Sequence, residues 1–202
     1  MFLNKFQILL ILLIIIIIIV IYIVNKDEVY YIENILSKED YEYIKKYVKN
    51  INNLKHERFR YIKPIYDKKI NDIFYSNEMI NKINKIINNE IIKSDFPIEY
   101  RIYPEGSKGM HCHKDTLLYN KPQYEVVFTI ENESDSYTNW YTYLGFNNII
   151  YTKPNSIIIV KAQENTHCVS PINKGYRTIL KLIYTQTNDY NNNYLKEIQR
   201  FK

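Results

Sequence analysis

The sequence predicts a mainly β domain, a sandwich or small barrel, with helices ahead of it. Three observations predict this. From Phe96 on, seven β-rich runs follow at short intervals: "IEYRIY", "QYEVVFTI", "NWYTYLGF", "NIIYT", "SIIIVKA", "HCVSPI" and "YRTILKLIYT". Many short strands separated by turn residues close into two packed sheets or a barrel. Before them, two segments repeat their apolar residues at helical rather than alternating spacing. Ahead of everything lies one unbroken apolar run.

That run, residues 8–24, reads "ILLILLIIIIIIVIYIV", and with Phe6 and Gln7 it approaches the ~20 residues a bilayer-spanning helix needs. A cleaved signal peptide has a shorter apolar core and a small-residue cleavage site. Here "VNKDEVYY" follows, without alanine or glycine. Residues 1–25 are therefore expected to be an uncleaved, single-pass signal-anchor, which makes the lipid bilayer a partner of the chain. A buried β-rich core segment is the alternative, but ordinary strands are shorter. Lys5 and the amino terminus stand against Lys26 with Asp27 and Glu28 beyond it, a bias toward a cytosolic N-terminus. The domain would then be lumenal or exterior, where Asn132-Glu133-Ser134 is a glycosylation sequon.

The rest of the 202 residues suffices for one domain with a substantial core. Net charge is +5, with lysines scattered among aspartates and glutamates and no basic block, so nothing points to a nucleic-acid footprint. In "ILSKEDYEYIKKYVKNI", Ser37 is an N-cap with Asp40 three residues on, and apolar residues follow at 41, 44, 47, 48 and 51. In "SNEMINKINKIINNEII", Ser76 precedes Met79, Ile80, Ile83, Ile86, Ile87 and Ile91. Both stripes read as packing faces. The expected plan is a helical layer over 26–95, a β core over 96–186 and a loose polar tail over 187–202 with at most a short helix.

The chemistry-bearing residues fall in the β core. His113 and Asp115 in "GMHCHKDT" are two apart, so on a strand they share a face. Two imidazoles and a carboxylate on one face of an octahedron suit non-haem Fe(II), because three positions stay open. His167, opening another β-run, is the candidate third ligand. Ten residues later, past a turn at Asn173, Lys174 and Gly175, stands Arg177. A guanidinium offers a carboxylate two parallel donors. A strand, a turn and a strand back would bring Arg177 to the cavity that His167 faces.

Together these residues resemble the 2-oxoglutarate- and Fe(II)-dependent dioxygenases. The family pattern is H-x-D, then a distant H, then R or K some ten residues on, often H-x-V-x-P-V-x-x-G-x-R. Here His113-Lys114-Asp115, His167-Cys168-Val169-Ser170-Pro171-Ile172 and Gly175-Tyr176-Arg177 match in order, over residues 97 to 185. The resemblance implies a double-stranded β-helix, or jelly-roll, with Fe(II) held by His113, Asp115 and His167. It implies 2-oxoglutarate on two iron positions with its far carboxylate on Arg177, Tyr103 as a further co-substrate contact, and O2 as oxidant. It leaves room for ascorbate as an auxiliary. The implied reaction decarboxylates 2-oxoglutarate to succinate and hydroxylates a C–H bond. One departure stands out: many members with arginine carry Ser or Thr two residues later, where this chain has Ile179. Thr178 should point to the opposite face, and Thr129 is a hydroxyl that could substitute.

Other readings stay open. Cys112, His113, His167 and Cys168 make a Cys2His2 zinc set, although on strands each cysteine points away from its histidine's face. The cysteines are either buried thiols or, in an oxidising compartment, a disulfide. His111 reads as a rim residue and His56 as surface. A non-catalytic, membrane-tethered jelly-roll binding module is the rival to an enzyme, and it would be expected to have a broken ligand set. Membrane anchorage resembles the prolyl and lysyl hydroxylases that act on secretory-pathway polypeptides, so a polypeptide is the expected substrate. Arginine rather than lysine leans away from the typical prolyl type, and nucleic acid and lipid are the alternatives. Trp140, in "ESDSYTNWYTYLGF", is either substrate-facing or sheet packing.

Overall fold

The computed structural model describes residues 4–24, 29–142 and 144–201. In chain order the elements are α1 (Lys5–Val24), β1 (Val29–Glu33), α2 (Lys38–Lys49), β2 (Lys55–Glu57), β3 (Arg60–Ile65), α3 (Lys68–Tyr75), α4 (Asn77–Ile87) and β4 (Ile92–Lys93). There follow β5 (Ile98–Tyr103), β6 (Met110–His113), β7 (Tyr124–Asn132), β8 (Thr138–Tyr141), β9 (Asn147–Ile150), β10 (Ser156–Lys161), β11 (Thr166–Val169), β12 (Arg177–Thr185) and α5 (Asn192–Ile198).

Helix α1 is long and apolar enough over Lys5–Tyr22 to cross a membrane, and none of that window is buried. The charged flank Lys26–Glu28 and the expected anchor boundary at residue 25 lie outside the described residues.

Two antiparallel sheets face each other. The larger has the order β1-β10-β7-β12-β5-β3-β2, with β4 on β12, and the smaller has β6-β11-β8-β9. Strand alternation sorts the larger sheet into two faces. Val126, Phe128 and Ile130 of β7, Ile157 and Ile159 of β10, and Leu180, Leu182 and Tyr184 of β12 pack with Ile44 of α2, Phe74 of α3 and Ile83 of α4. Phe74 meets Phe128 edge-on at 5.2 Å between centroids, a favoured aromatic geometry. The intervening residues, including Val127, Ile158, Val160, Arg177, Ile179 and Lys181, line a cavity between the sheets.

Capping follows the expected chemistry. Ser37 Oγ accepts from the Asp40 N–H at 3.1 Å and donates to the Asp40 carboxylate at 2.8 Å. Ser76 Oγ accepts from the Met79 N–H at 3.2 Å. The region 26–95 is not helices alone, however: it supplies four strands to the larger sheet. Apart from the local β2–β3 hairpin, their partners are remote, as in Val29 opposite Val160 and Ile65 opposite Ile98, and such short strands carry little local periodicity. The tail is docked rather than loose. Tyr194, Ile198 and Phe201 pack on Phe96 and Tyr119, and Arg200 pairs with Glu99 at 3.2 Å. Asn132 of the sequon donates through Nδ2 to the Thr152 carbonyl at 2.9 Å, so its amide is already engaged.

Cys112 and Cys168 form a disulfide between β6 and β11. This overturns the Cys2His2 zinc reading, because the sulfurs bond each other and are not left as thiolate ligands. Buried free thiols are excluded by the same bond. The bridge joins residues 56 apart in sequence, and closing a loop of that size constrains the unfolded chain by up to about 4 kcal/mol. We expect native full-length protein to show no labelled thiol before reduction and two after it. The double substitution Cys112→Ser/Cys168→Ser should lower urea-unfolding stability by roughly 2–4 kcal/mol.

Candidate metal and co-substrate site

Antiparallel pairing of β6 with β11 places His113 directly opposite His167, with ring centroids 4.5 Å apart. Asp115 lies two residues beyond the last β-partner of that strand rather than on it. Its two oxygens nevertheless divide between the imidazoles: Oδ1 is 3.6 Å from His113 Nε2, and Oδ2 is 3.4 Å from His167 Nε2. The three donor atoms lie within 4.8 Å of one another. The sequence-expected trio is thus brought together, but by a chain that leaves the strand after His113. Gln163 holds that departure by donating through Nε2 to the Asp115 carbonyl at 2.9 Å.

The ring orientations follow from the far nitrogens. His113 Nδ1 contacts the His111 carbonyl at 2.8 Å, and His167 Nδ1 contacts the Asn165 carbonyl at 3.2 Å. A carbonyl only accepts, so each Nδ1 carries a proton, which leaves each Nε2 as the nitrogen that faces Asp115 and that offers a lone pair once deprotonated. Such an outer contact orients a histidine ligand. Burial opposes ionising Asp115, but hydrogen bonding to His113 and the nearby positive charge of Lys181 hold its carboxyl well below the usual range. The bond to Asp115 raises the His113 pKa, whereas burial lowers that of His167. Two imidazole nitrogens and a carboxylate turned on one point form a cation-shaped donor set once the imidazoles are neutral, and nitrogen and oxygen ligands of this kind suit a first-row transition metal. The donor set fits Fe(II).

Arg177 lies deeper in the cavity, opposite Tyr103 in the β12–β5 register. Gly175 makes the preceding turn possible: its φ is +79°, and a Cβ there would meet the Glu133 carbonyl oxygen at 2.1 Å. The Arg177 side chain is buried, at 4 % exposed. One terminal nitrogen donates to Thr138 Oγ1 at 3.3 Å, and its Nε has no partner. Burial lowers its pKa. The other cations here differ. Arg101 pairs with Glu99 at 2.9 Å, and Lys181 pairs with Glu125. Burial pushes the Glu125 carboxyl up to about 7 against the pull of Lys181. Among the described residues Arg177 has no carboxylate partner.

Tyr103 lines the cavity as expected. Burial works against ionising its hydroxyl, but the guanidinium groups of Arg101, Arg60 and Arg177 outweigh it and lower its pKa. Thr129 stands opposite Ile179 with its hydroxyl buried and unpartnered, but the hydroxyl that touches Arg177 belongs to Thr138. Trp140 stands across from His167 and packs with Val29, Ile158 and Val160, which is a sheet-packing contact. His111 is exposed at a groove that His113 also lines, and His56 is exposed against Tyr61. Sequence reasoning missed Thr138, Arg101 and the Lys181–Glu125 pair. Lys181 had a signal, since it lies four residues after Arg177 on the same strand and therefore on its face.

No protein-family model and no curated protein matches the sequence. Solved structures do match. One is an oxidoreductase of the 2OG-Fe(II) oxygenase family from Burkholderia pseudomallei, with TM-score 0.70 and 10 % identity over 80 % of this chain and 86 % of that one. Another is a prolyl hydroxylase from Trichoplax adhaerens in complex with a hypoxia inducible factor oxygen degradation domain peptide fragment, with TM-score 0.60 and 14 % identity over 82 % and 87 %. A third is HygX from Streptomyces hygroscopicus with nickel and 2-oxoglutarate bound, with TM-score 0.63 and 8 % identity over 83 % and 86 %. At these identities the likeness is one of fold: the chain has the jelly-roll-like fold of the 2OG-Fe(II) oxygenases.

A buried guanidinium without a counter-ion is destabilising unless a ligand supplies one. Without added metal or 2-oxoglutarate, Arg177→Met should therefore raise stability by roughly 1–3 kcal/mol in urea unfolding. A loss of that size would mean that the guanidinium is already satisfied.

Proposed function

We propose that this protein is a membrane-anchored Fe(II)- and 2-oxoglutarate-dependent dioxygenase that hydroxylates a C–H bond on a polypeptide side chain of prolyl or lysyl type. One observation carries the reading. The imidazole nitrogens of His113 and His167 and the Asp115 carboxylate converge within 4.8 Å, and Asp115 and His167 line one flank of a cavity whose wall also carries Arg177, a buried cation without a carboxylate partner among the described residues. A small dicarboxylate that chelates a metal at one end and carries a free carboxylate at the other complements both features.

His113, Asp115 and His167 would hold the metal through Nε2, a carboxylate oxygen and Nε2. When bound, iron supplies the redox chemistry that couples loss of CO2 from 2-oxoglutarate, giving succinate, to transfer of one oxygen atom of O2 into the substrate C–H bond. The chain's own contribution is orientation and dryness. Arg177, with Thr138 beside it and Tyr103 opposite, would clamp the far carboxylate. Val127, Ile158, Val160 and Ile179 keep water from the wall between the two ends. Burial strengthens the charge interaction at Arg177 because little solvent screens it.

The polypeptide substrate rests on likeness: the Trichoplax protein was solved with a peptide fragment. The complete donor set and Arg177 weigh against a binding module that has lost its chemistry. Anchorage rests on α1, and the Cys112–Cys168 bond supports an oxidising compartment, hence a cytosolic N-terminus with the domain lumenal or exterior.

Anaerobic titration of Fe(II) and 2-oxoglutarate into the full chain in detergent tests the centre, followed through the weak visible absorption of the chelate. His167→Ala should abolish the band. Arg177→Gln should keep metal binding and weaken 2-oxoglutarate by about 10- to 100-fold, the worth of a charge-assisted bidentate contact. A folded, iron-loaded wild type without the band would overturn the reading.

Metal affinity should also depend on pH. His113 must lose its proton to bind a metal, and its pKa is raised in the metal-free protein. Affinity is therefore full above that pKa and lost as pH falls through it, by about tenfold per pH unit for a single competing proton. Titration with Co(II) between pH 8 and pH 6 is the measurement.

A further inference from the structure

The β8–β9 hairpin carries an apolar surface that no described part of the domain covers. Thr138, Trp140 and Ile150 turn inward, so Tyr141 and Ile149, at the alternate positions, turn out. Tyr141 is 37 % exposed, Ile149 53 % and Tyr151 59 %, and at the turn Leu144 is 45 % and Phe146 60 % exposed. Outside α1, five of the eleven large apolar side chains exposed among the described residues fall within residues 141–151. Such clustering marks a contact surface, whereas single exposed apolar residues do not.

Strand register places this hairpin beside the point where the chain arrives from α1. Val29 pairs with Val160 at the end of β10. Strand β9 turns into β10 through residues 151–155, so the start of β9 and the end of β10 lie at the same end of the sandwich. Contact agrees with register, since Val29 shares one cluster with Trp140, Ile150, Ile158 and Val160. Only residues 25–28 separate Val24 from Val29, and five Cα steps reach at most about 17 Å. A bilayer crossed by α1 would thus lie within that distance of Val29. Tyrosine with leucine, isoleucine and phenylalanine is the composition that settles at the headgroup–acyl boundary.

We propose that the β8–β9 hairpin is a bilayer-docking surface, with Leu144 and Phe146 seated in the interface and Tyr141 and Ile149 flanking them. The proposal rests on the reading of α1 as a membrane anchor. Its occupant is a phosphatidylcholine-type bilayer surface, since the patch is apolar and aromatic and requires no charged headgroup. Docking holds the domain in one orientation instead of leaving it to swing on its tether. It also places the membrane one strand from β11, so the hairpin sets how the proposed metal centre is presented to substrate.

The test uses the full chain in phosphatidylcholine vesicles containing lipid brominated near the headgroup end of the acyl chain. Phe146→Trp adds a reporter at the hairpin. Lys174→Trp adds one in the turn before β12, at the opposite end of the sandwich. The wild type gives the background from Trp140. The expected result is at least about a twofold loss of the Phe146→Trp signal by bromolipid quenching, with the Lys174→Trp signal unchanged. Chain retained by the vesicles after alkaline washing, with neither reporter quenched or both quenched equally, would overturn the docking surface and leave the anchor standing. Chain released by that washing would overturn the anchor, and the docking proposal with it.

Discussion

The pairing of β6 with β11 is the contact on which the candidate site depends. It sets His113 opposite His167, and the neighbouring Cys112–Cys168 bond ties the same two strands together. Because side chains alternate along a strand, one register serves both functions: cysteines on one face, imidazoles on the other. A slip of one residue would exchange them. The disulfide therefore stabilises the fold and also holds the register that converges the imidazoles on Asp115.

The larger sheet divides its labour in the same way. Its apolar face packs under α2, α3 and α4 and supplies most of the core. Its other face is unusually polar for a sandwich interior, with Glu99, Arg101, Glu125 and Arg177 buried and Lys181 half-buried. Four of these five neutralise one another in pairs, Arg101 with Glu99 and Lys181 with Glu125. Burying an unpaired charge costs several kcal/mol, and the fifth, Arg177, has no carboxylate partner among the described residues.

The fold class and much of the site were legible in the sequence, through different signals. Seven β-rich runs foretold the two-sheet core, and Ser37 and Ser76 marked helix starts that the caps bear out. His113, Asp115, His167 and Arg177 were found by spacing, yet the strand argument for Asp115 gave the correct neighbour by the wrong geometry, since that residue sits beyond β6. Thr138 was not foreseen because it reaches Arg177 from the other sheet, 39 residues away, and no periodicity encodes a contact across a sandwich. The strands of the 26–95 segment escaped for a related reason: β1 takes its edge position only because β10 is there to pair with it.

What the sequence determined by itself was therefore what depends on near neighbours: the apolar length of α1, the helical stripes and their caps, the alternation that gives each strand two faces, and the residue types able to hold a metal and a carboxylate. Tertiary structure alone decided which faces look inward, that Cys112 meets Cys168, that Lys181 finds Glu125 while Arg177 finds no carboxylate among the described residues, and that the docked tail closes over Phe96. The physical reason is range. Propensity, capping and periodicity act over a few residues, whereas burial and ion pairing depend on which distant segment the fold brings alongside.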